Sequence, residues 1–548
     1  GHKSAFLAAK QHATEVRIRF LCDPYNFDTP EKLHGEHSAL ATWRAAAGAN
    51  ALFCRSCSTP RSFFIMADPA DLAKQVADVT KSVGDLQTAA NIVWTLVTGF
   101  LVMFMQLGFA LLETGLTRAK NVTHTMGMNI FVYAIGILCF WLCGFAFQMG
   151  GVGALATFGN DGTLAHEFAL QIGGKDWGLF GTSGFMLTPA VYTPAIAVLF
   201  LFQMVFMDTA ATIPTGAMAE RWKFASFCLF SVLIAAVIYP FYANWVWGGG
   251  WLSTLGKNYG LGHGHVDFAG SSVVHMTGGV MAFVGAKLLG PRVGKYTKDG
   301  KVNAIPAHNI PMVVTGTLIL AFGWFGFNPG STLAGTDTRT ALIATNTMIA
   351  SAAGALTACL YVWTRFGKPD VTMICNGLLA GLVAITGPCA FVTSGAAIVI
   401  GGIAGVLVVV AAVFVDQKLK IDDPVGAVAV HGVCGAWGIL ALGLFANGTY
   451  GDGLNGVAGN VKGLFYGDSG QLVAAVIGIG TNVLWVGLTA YAGLKVVGMM
   501  VGNRVSEESE IEGLDEGEMG LPGYAAEAGH PTPPEMSLPH GGAASPAE

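Results

Sequence analysis

Asp267-Phe-Ala-Gly270-Ser-Ser-Val-Val274-His275-Met-Thr-Gly-Gly279 recurs as Asp423-Pro-Val-Gly426-Ala-Val-Ala-Val430-His431-Gly-Val-Cys-Gly435, with Asp, Gly, Val, His and Gly at the same five offsets. Each copy lies in an apolar run long enough to cross the ~30 Å hydrocarbon layer, which takes ~20 residues of helix. Eleven such runs are read, near 90–113, 127–149, 191–217, 223–247, 266–290, 310–328, 340–364, 371–391, 395–415, 424–446 and 471–500. One set of connecting loops holds Arg118, Lys120, Arg221, Lys223, Lys287, Arg292, Lys295, Lys298, Lys301, Arg365, Lys368, Lys418 and Lys420. The opposite set holds only Lys175, Lys257, Arg339 and Lys462, so the positive-inside rule puts the N-terminus outside and the C-terminus inside. The fifth and tenth runs then cross in opposite directions. Each His lies eight residues beyond its Asp, ~12 Å along a helix, which brings both imidazoles from opposite faces towards the midplane. The expected fold is all-α, with eleven membrane helices and an inverted repeat of helices 1–5 and 6–10.

Composition agrees. Over 548 residues, 11% are charged and 53% apolar, against ~25% and ~45–50% for a soluble chain. Twenty-residue apolar blocks exclude a β-barrel, whose strands alternate over ~10 residues. The 75 glycines suit close helix packing and follow no three-residue period. No basic stripe exists for nucleic acid. Cys139, Cys143, Cys228, Cys359, Cys375, Cys389 and Cys434 fall within apolar runs, where a thiol is a small hydrophobe, so no disulfide framework is expected. Residues 1–65 are polar, start with Gly and carry a lone Cys54/Cys57 pair, with Cys22 too isolated to complete a metal site. They read as an extra N-terminal segment, with Met66 the expected true start. Residues 66–89 read as an extracellular amphipathic helix, since Leu72, Val76, Val79, Val83 and Leu86 step by four and three. Residues 90–504 form the membrane domain. After Arg504 there is no Lys or Arg, and 505–548 read as an acidic cytoplasmic tail with a disordered end.

A single His in an apolar helix is usually a satisfied core residue. Two at repeat-related positions favour function, because intramembrane ionisable groups mark pathways and inverted repeats place their site at the repeat interface. Neutral imidazoles can pass a proton or a polar N–H species; they could instead ligate haem iron, although no CxxCH attachment motif is present. The outer mouth collects Trp245-Val-Trp247-Gly-Gly-Gly250, Asp267 and Gly323-Trp324-Phe325-Gly326-Phe327-Asn328-Pro-Gly-Ser331. Trp245 is assigned to the lipid-interface aromatic belt. The other rings, beside a buried acid, suit a small cation. Asp208 is an unexplained intramembrane acid, read as structural, and Glu113 is expected to reach the inner interface. Gly401 and Gly405 form a GxxxG, and Gly181-Thr-Ser-Gly184 has no placed base for hydrolase chemistry.

FQMVF at 202–206, GAMAER at 216–221, VWGGG, DFAGSSVVH, GWFGFNPGS, DDPVGAVAVHGVCG and EGLDEGE at 512–518 occur in order over about residues 90–519. Together they closely resemble the ammonium transporter family (Amt/Mep/Rh), its bacterial and plant Amt-like branch above all. The resemblance implies a transporter and not an enzyme, with no cofactor, a central pore in each protomer and a homotrimer in the cell membrane's lipid bilayer. It implies ammonium or methylammonium as substrate, recruited at Phe202, Trp247 and Ser331. It implies a gate of Phe206 and Phe327 with Trp324 as a further pore-side ring, and a pore lined by His275 and His431 with Asp267 as the buried acid. A cytoplasmic regulator such as a PII-type protein is a further implied partner. Relatives commonly follow GLD with HG, where this chain has Met519-Gly520. A non-transporting ammonium sensor and a bis-His haem membrane protein are the alternative readings.

Overall fold

The computed structural model describes residues 69–159 and 162–524. The readings of residues 1–65 and of the tail's end lie outside the described residues. Ten helices among those described are long and apolar enough to cross a membrane: α1 (Pro69–Leu116), α2 (Ala119–Met149), α3 (Pro194–Met218), α4 (Phe224–Trp247), α5 (Ser271–Leu289), α6 (Ile310–Thr332), α7 (Thr340–Phe366), α9 (Ser394–Gln417), α10 (Val428–Phe445) and α11 (Ser469–Val501). Between them, α8 (Val371–Thr386) is apolar but only 16 residues long, ~24 Å of helix. The run read at 371–391 is therefore shorter as a helix. Thr386 ends it, and the chain turns there through Gly387 and Pro388.

Helix starts follow capping chemistry. Thr193, Asn309, Asp370, Thr393 and Asp468 each accept from an amide in the first turn of α3, α6, α8, α9 and α11. The amphipathic stretch and the first membrane run are one unbroken 48-residue helix, α1. Helices α3 and α5 are the most enclosed, with 83% and 72% of their apolar windows buried, against 28% for α11, so the core sits around α3 and α5.

A hairpin between α2 and α3 pairs β1 (Glu167–Ile172) antiparallel with β2 (Lys175–Gly181). Its turn residues Gly173 and Gly174 have φ of 60° and 72°, the left-handed conformations a tight two-residue hairpin demands. Trp245 donates to the Leu179 carbonyl and packs against Trp251 and Trp485. It is 8% exposed, which corrects its assignment to the lipid belt. Its indole N–H found a partner in β2 that no sequence spacing announces. Gly401 and Gly405 on α9 meet the backbone of Ala350 and Gly354 on α7, where any side chain would collide.

At the end of the bundle opposite the hairpin, short helices α12 (Glu507–Glu512) and α13 (Leu514–Met519) lie against the membrane domain. Asp515 accepts from the His124 amide, Glu518 from the Phe224 amide, and Asn121 accepts from the Leu514 amide. Beside them Arg292 holds Asp422 through its backbone N–H and two guanidinium N–H groups, and Glu220 through a third. Burial alone would raise the Asp422 carboxyl, but the Arg292 hydrogen bonds outweigh it and hold the group below the usual carboxylate range.

Candidate functional site: an aromatic-capped histidine pair

Asp267 precedes α5 and caps it. Its Oδ1 accepts from the amides of Gly270 and Ser271, and its Oδ2 from the amides of Ser272 and Val273 and the Ser272 hydroxyl, all at 2.7–3.0 Å. Gly270, at φ 117°, supplies the left-handed turn that lets four amides converge on one carboxylate. Asp423 does the same for α10: it accepts from Val425, Gly426 and Val428, with Gly426 at φ 80°. The Asp and Gly of the repeated motif are therefore one device used twice.

Both helices open on a π-helical turn, Ser271–Met276 and Val428–Val433, and each turn carries a histidine. Asn482 on α11 donates to the Ser272 carbonyl, which also accepts from the Thr277 amide and hydroxyl, and to the Thr277 hydroxyl, so α11 buttresses this turn. The result is a contact between His275 and His431: their Nδ1 atoms are 3.2 Å apart and their rings stack with centroids at 5.3 Å.

Two nitrogens in hydrogen-bond contact need one proton between them. If both rings are neutral, one carries Nδ1–H and leaves Nε2 bare, while the other carries Nε2–H. The pair thus offers one acceptor and one donor at its two Nε2 atoms. His275 Nε2 is buried without a hydrogen-bond partner among the described residues.

Aromatic rings cover the pair on one side. His275 stacks on Trp324 and Phe327 at 5.3 and 5.2 Å, and Phe327 stacks on Phe206 at 4.1 Å. Phe202, one turn before Phe206 on α3, packs on it at 4.7 Å. Trp324 is fixed by its indole N–H to the Thr386 hydroxyl. Beyond Phe206 lies a cavity of about 180 Å³ whose walls include Phe202, Phe206, Trp247 and Ser331. A wider vestibule of about 970 Å³ includes Trp247, Asp267, Ser331 and Arg339 in its walls. Trp247 donates to the Asp267 carbonyl, and Ser331 to the Phe327 carbonyl.

All nine residues singled out in the sequence lie in or directly around this column. Ring faces attract cations, whereas two stacked phenyls exclude a hydrated ion. The arrangement therefore suits a small cation that can shed its water and make N–H bonds.

The family-model match decides the class: the model described as the Ammonium Transporter Family matches residues 93–524. The chain belongs to the ammonium transporter family. It is similar to ammonium transporter Amt2 of Archaeoglobus fulgidus, 46% identical over 429 residues covering 78% of this chain and 86% of that protein. Amt1 of Haloferax mediterranei is 39% identical, covering 79% of each. Among solved structures, one described as a sensor Amt protein is 33% identical with a TM-score of 0.69, covering 79% of this chain and 99% of that one. Mep2 of Candida albicans is 27% identical with a TM-score of 0.64, covering 77% of this chain and 87% of its own. This family member is a multi-pass membrane protein and not an enzyme.

Two residues near the column escaped the sequence reading. Phe109 on α1 lies 6.2 Å from the His431 ring, and Thr386 ends α8. Neither carries a signal within an apolar run. Glu113 does not reach the inner interface: it is 2% exposed and accepts from Asn129 and Thr215, which out-compete a path to water. Asp208 is buried on α3, facing the α2 residue Gly136, and its Oδ1 has no hydrogen-bond partner among the described residues.

Proposed function

We propose that this family member moves ammonium through the column just described. Phe202, Trp247 and Ser331 recruit the cation, with Asp267 fixing the vestibule's negative field. Phe206 and Phe327 admit it without its water, and Trp324 holds the His275 ring in place. The proton leaves at this point, ammonia passes along His275 and His431, and the proton travels separately through the imidazole pair. The observation that carries the reading is the 3.2 Å Nδ1–Nδ1 contact directly beneath stacked Phe327 and Phe206. Potassium, with no N–H donor and no removable proton, gains nothing from such a pair.

In this reading α1 to α11 are eleven spans, with α8 completing the set, and the first five repeat the next five upside down. The N-terminus is outside. The matching caps and π turns of α5 and α10 support that pseudo-symmetry. Residues 90–504 form the transport domain, 66–89 an outer amphipathic segment and 505–548 the cytoplasmic tail. Three copies assemble, each with its own pore. The tail's contacts with the ends of α2 and α4 give a cytoplasmic PII-type regulator a surface to act on.

A non-transporting sensor is the second reading, favoured by the resemblance to the solved sensor Amt protein. The bis-His haem reading is disfavoured, because the stacked imidazoles leave no slot for a macrocycle. Methylammonium uptake into cells lacking their own ammonium transporters separates the first two. Uptake lost in Asp267→Ala supports transport; full-length protein in the membrane with no uptake supports the sensor.

A further inference from the structure

We propose that His265 is a positioning residue for Asp267 and the group through which outside acidity weakens cation recruitment. Its role presupposes the transport reading above, in which Asp267 supplies the vestibule's negative field.

His265 stands two residues before Asp267 in the stretch between α4 and α5, and both line the wide vestibule. At the matching offsets of the second repeat copy, Ile421 replaces His265 and Val428 replaces Ser272. Asp423 still caps α10 there, so the helix start needs neither polar residue. The two occur together, and only in the copy whose acid lines the vestibule.

Proton counting fixes the tautomer of the imidazole. Asp267 Oδ2 can only accept, so the Ser272 hydroxyl donates to it at 2.7 Å and leaves its own oxygen to His265 Nε2 at 2.9 Å. The Gly478 carbonyl likewise takes the Tyr242 hydroxyl proton at 3.1 Å, and the Tyr242 oxygen lies 3.5 Å from the same Nε2. Nε2 therefore carries the hydrogen, and the neutral ring has a bare Nδ1. With Nε2–H in place, the Ser272 hydroxyl has one direction left to it, towards Asp267. Gly478 on α11 makes the fit possible, since a Cβ there would fall 2.0 Å from Nδ1. His265 is fully buried, and its Nδ1 has no hydrogen-bond partner among the described residues.

A second proton can go only to Nδ1. The imidazolium then stands one hydroxyl away from Asp267, ~5 Å, where an opposite charge is strongly felt. Seen from the vestibule, the two charges cancel. Asp267 is the charged group that faces the ring, and Tyr242 on α4 is the other titratable one. On α5 the ring meets Ser272, α11 carries no ionisable side chain between Ser469 and Ala490, and His263 turns away to the Gly459 carbonyl. Burial pushes the imidazole below its ordinary value of 6.5, while Asp267 and the Ala474 backbone pull it back. The ring is thus neutral near neutrality and charges in acid.

The test is the ammonium current of the full chain in proteoliposomes on a solid-supported membrane. KM is read from about pH 8 to about pH 5, equal on both sides, a range over which the substrate stays ionised. In the parent the KM should rise ~10-fold towards the acid end. His265→Ala should raise the KM already at the alkaline end. His265→Gln, whose amide nitrogen takes the place of Nε2, should restore it and hold it level with pH. Parallel profiles in the parent and His265→Gln, or a parental KM in His265→Ala, would overturn the proposal. No current from the parent would contradict the transport reading instead, and a second measurement judges His265 without it. Nitrogen-15 NMR of histidine-labelled protein in lipid should show a ring, absent in His265→Gln, with a bare Nδ1 and a protonated Nε2 at the alkaline end and both nitrogens protonated at the acid end. The opposite tautomer, or a ring unchanged between the two, would overturn the assignment.

Discussion

Replacing Asp267 by Asn removes a charge while keeping the side chain's shape, and the structure says what that costs. Two amides point at Oδ1, and two amides and a hydroxyl point at Oδ2. An amide side chain has one oxygen, so its NH₂ must face the smaller group and confront two N–H donors. Hydrogen bonds to a charged acceptor contribute ~1.5–3 kcal/mol each, so losing two predicts a destabilisation of ~3–6 kcal/mol. Asp423→Asn is the matched control. Its single bond at Oδ2, from Val428, is the one an amide would sacrifice, giving ~1.5–3 kcal/mol. The assay is denaturant unfolding of purified protein in detergent, followed by tryptophan fluorescence and helix content, with methylammonium uptake on the same preparations. Asp267→Asn should unfold at lower denaturant than Asp423→Asn and lose uptake. If the two variants are equally stable, the capping argument is wrong and the repeated Asp serves something other than the start of its helix.

Removing Arg292 as Ala leaves buried Asp422 with the residue 292 amide but no guanidinium, and takes one partner from Glu220, which keeps Arg118 and Asn121; this should cost ~3–5 kcal/mol and loosen the tail side of the bundle, and unfolding within error of the parent would contradict it. Glu167 in the hairpin accepts from Asn244, but burial outweighs that bond and pushes its carboxyl up to about 7. A raised acid favours the protonated native form, so its stabilisation is complete below the unfolded value near 4.5 and fades as pH rises through about 7. Proteolysis within the hairpin should therefore increase across that window in the parent and stay flat in Glu167→Gln; parallel profiles would refute it. Gly401→Leu places a side chain against the Ala350 carbonyl of α7, with expected destabilisation of at least ~1–3 kcal/mol; undiminished unfolding resistance would show that α7 and α9 can part.

Much of the column was legible because its residues break the local pattern. A histidine or carboxylate inside an apolar run is costly, so His275, His431 and Asp267 stand out, and their repetition says that each cost recurs for the same reason. Aromatics at the ends of α4 and α6 were readable as a cluster because Gly-rich sequence brings backbones close there, whereas Phe202 and Phe206 within α3 came only from the family resemblance. What could not be read is contact across helices with no polar signature. Phe109 is one apolar residue among many, and only folding sets it beside His431. Trp245 was misread because an indole near a span end suits both a lipid belt and a buried corner, and its hydrogen bond to Leu179 decides between them. Glu113 was misread for a related reason: Asn129 and Thr215 come from other helices and hold it inside. The shortness of α8 was hidden because its apolar run continues through Gly387 and Pro388 into the following turn.

Charge movement tests the account most directly. With the purified protein in proteoliposomes on a solid-supported membrane, an ammonium pulse should give a transient inward current, and a potassium pulse none. His275→Ala, which removes the imidazole touching His431, should abolish the ammonium current while the oligomer and its melting remain near the parent's. No current from the parent, or an undiminished one from His275→Ala, would contradict a proton path through the histidine pair.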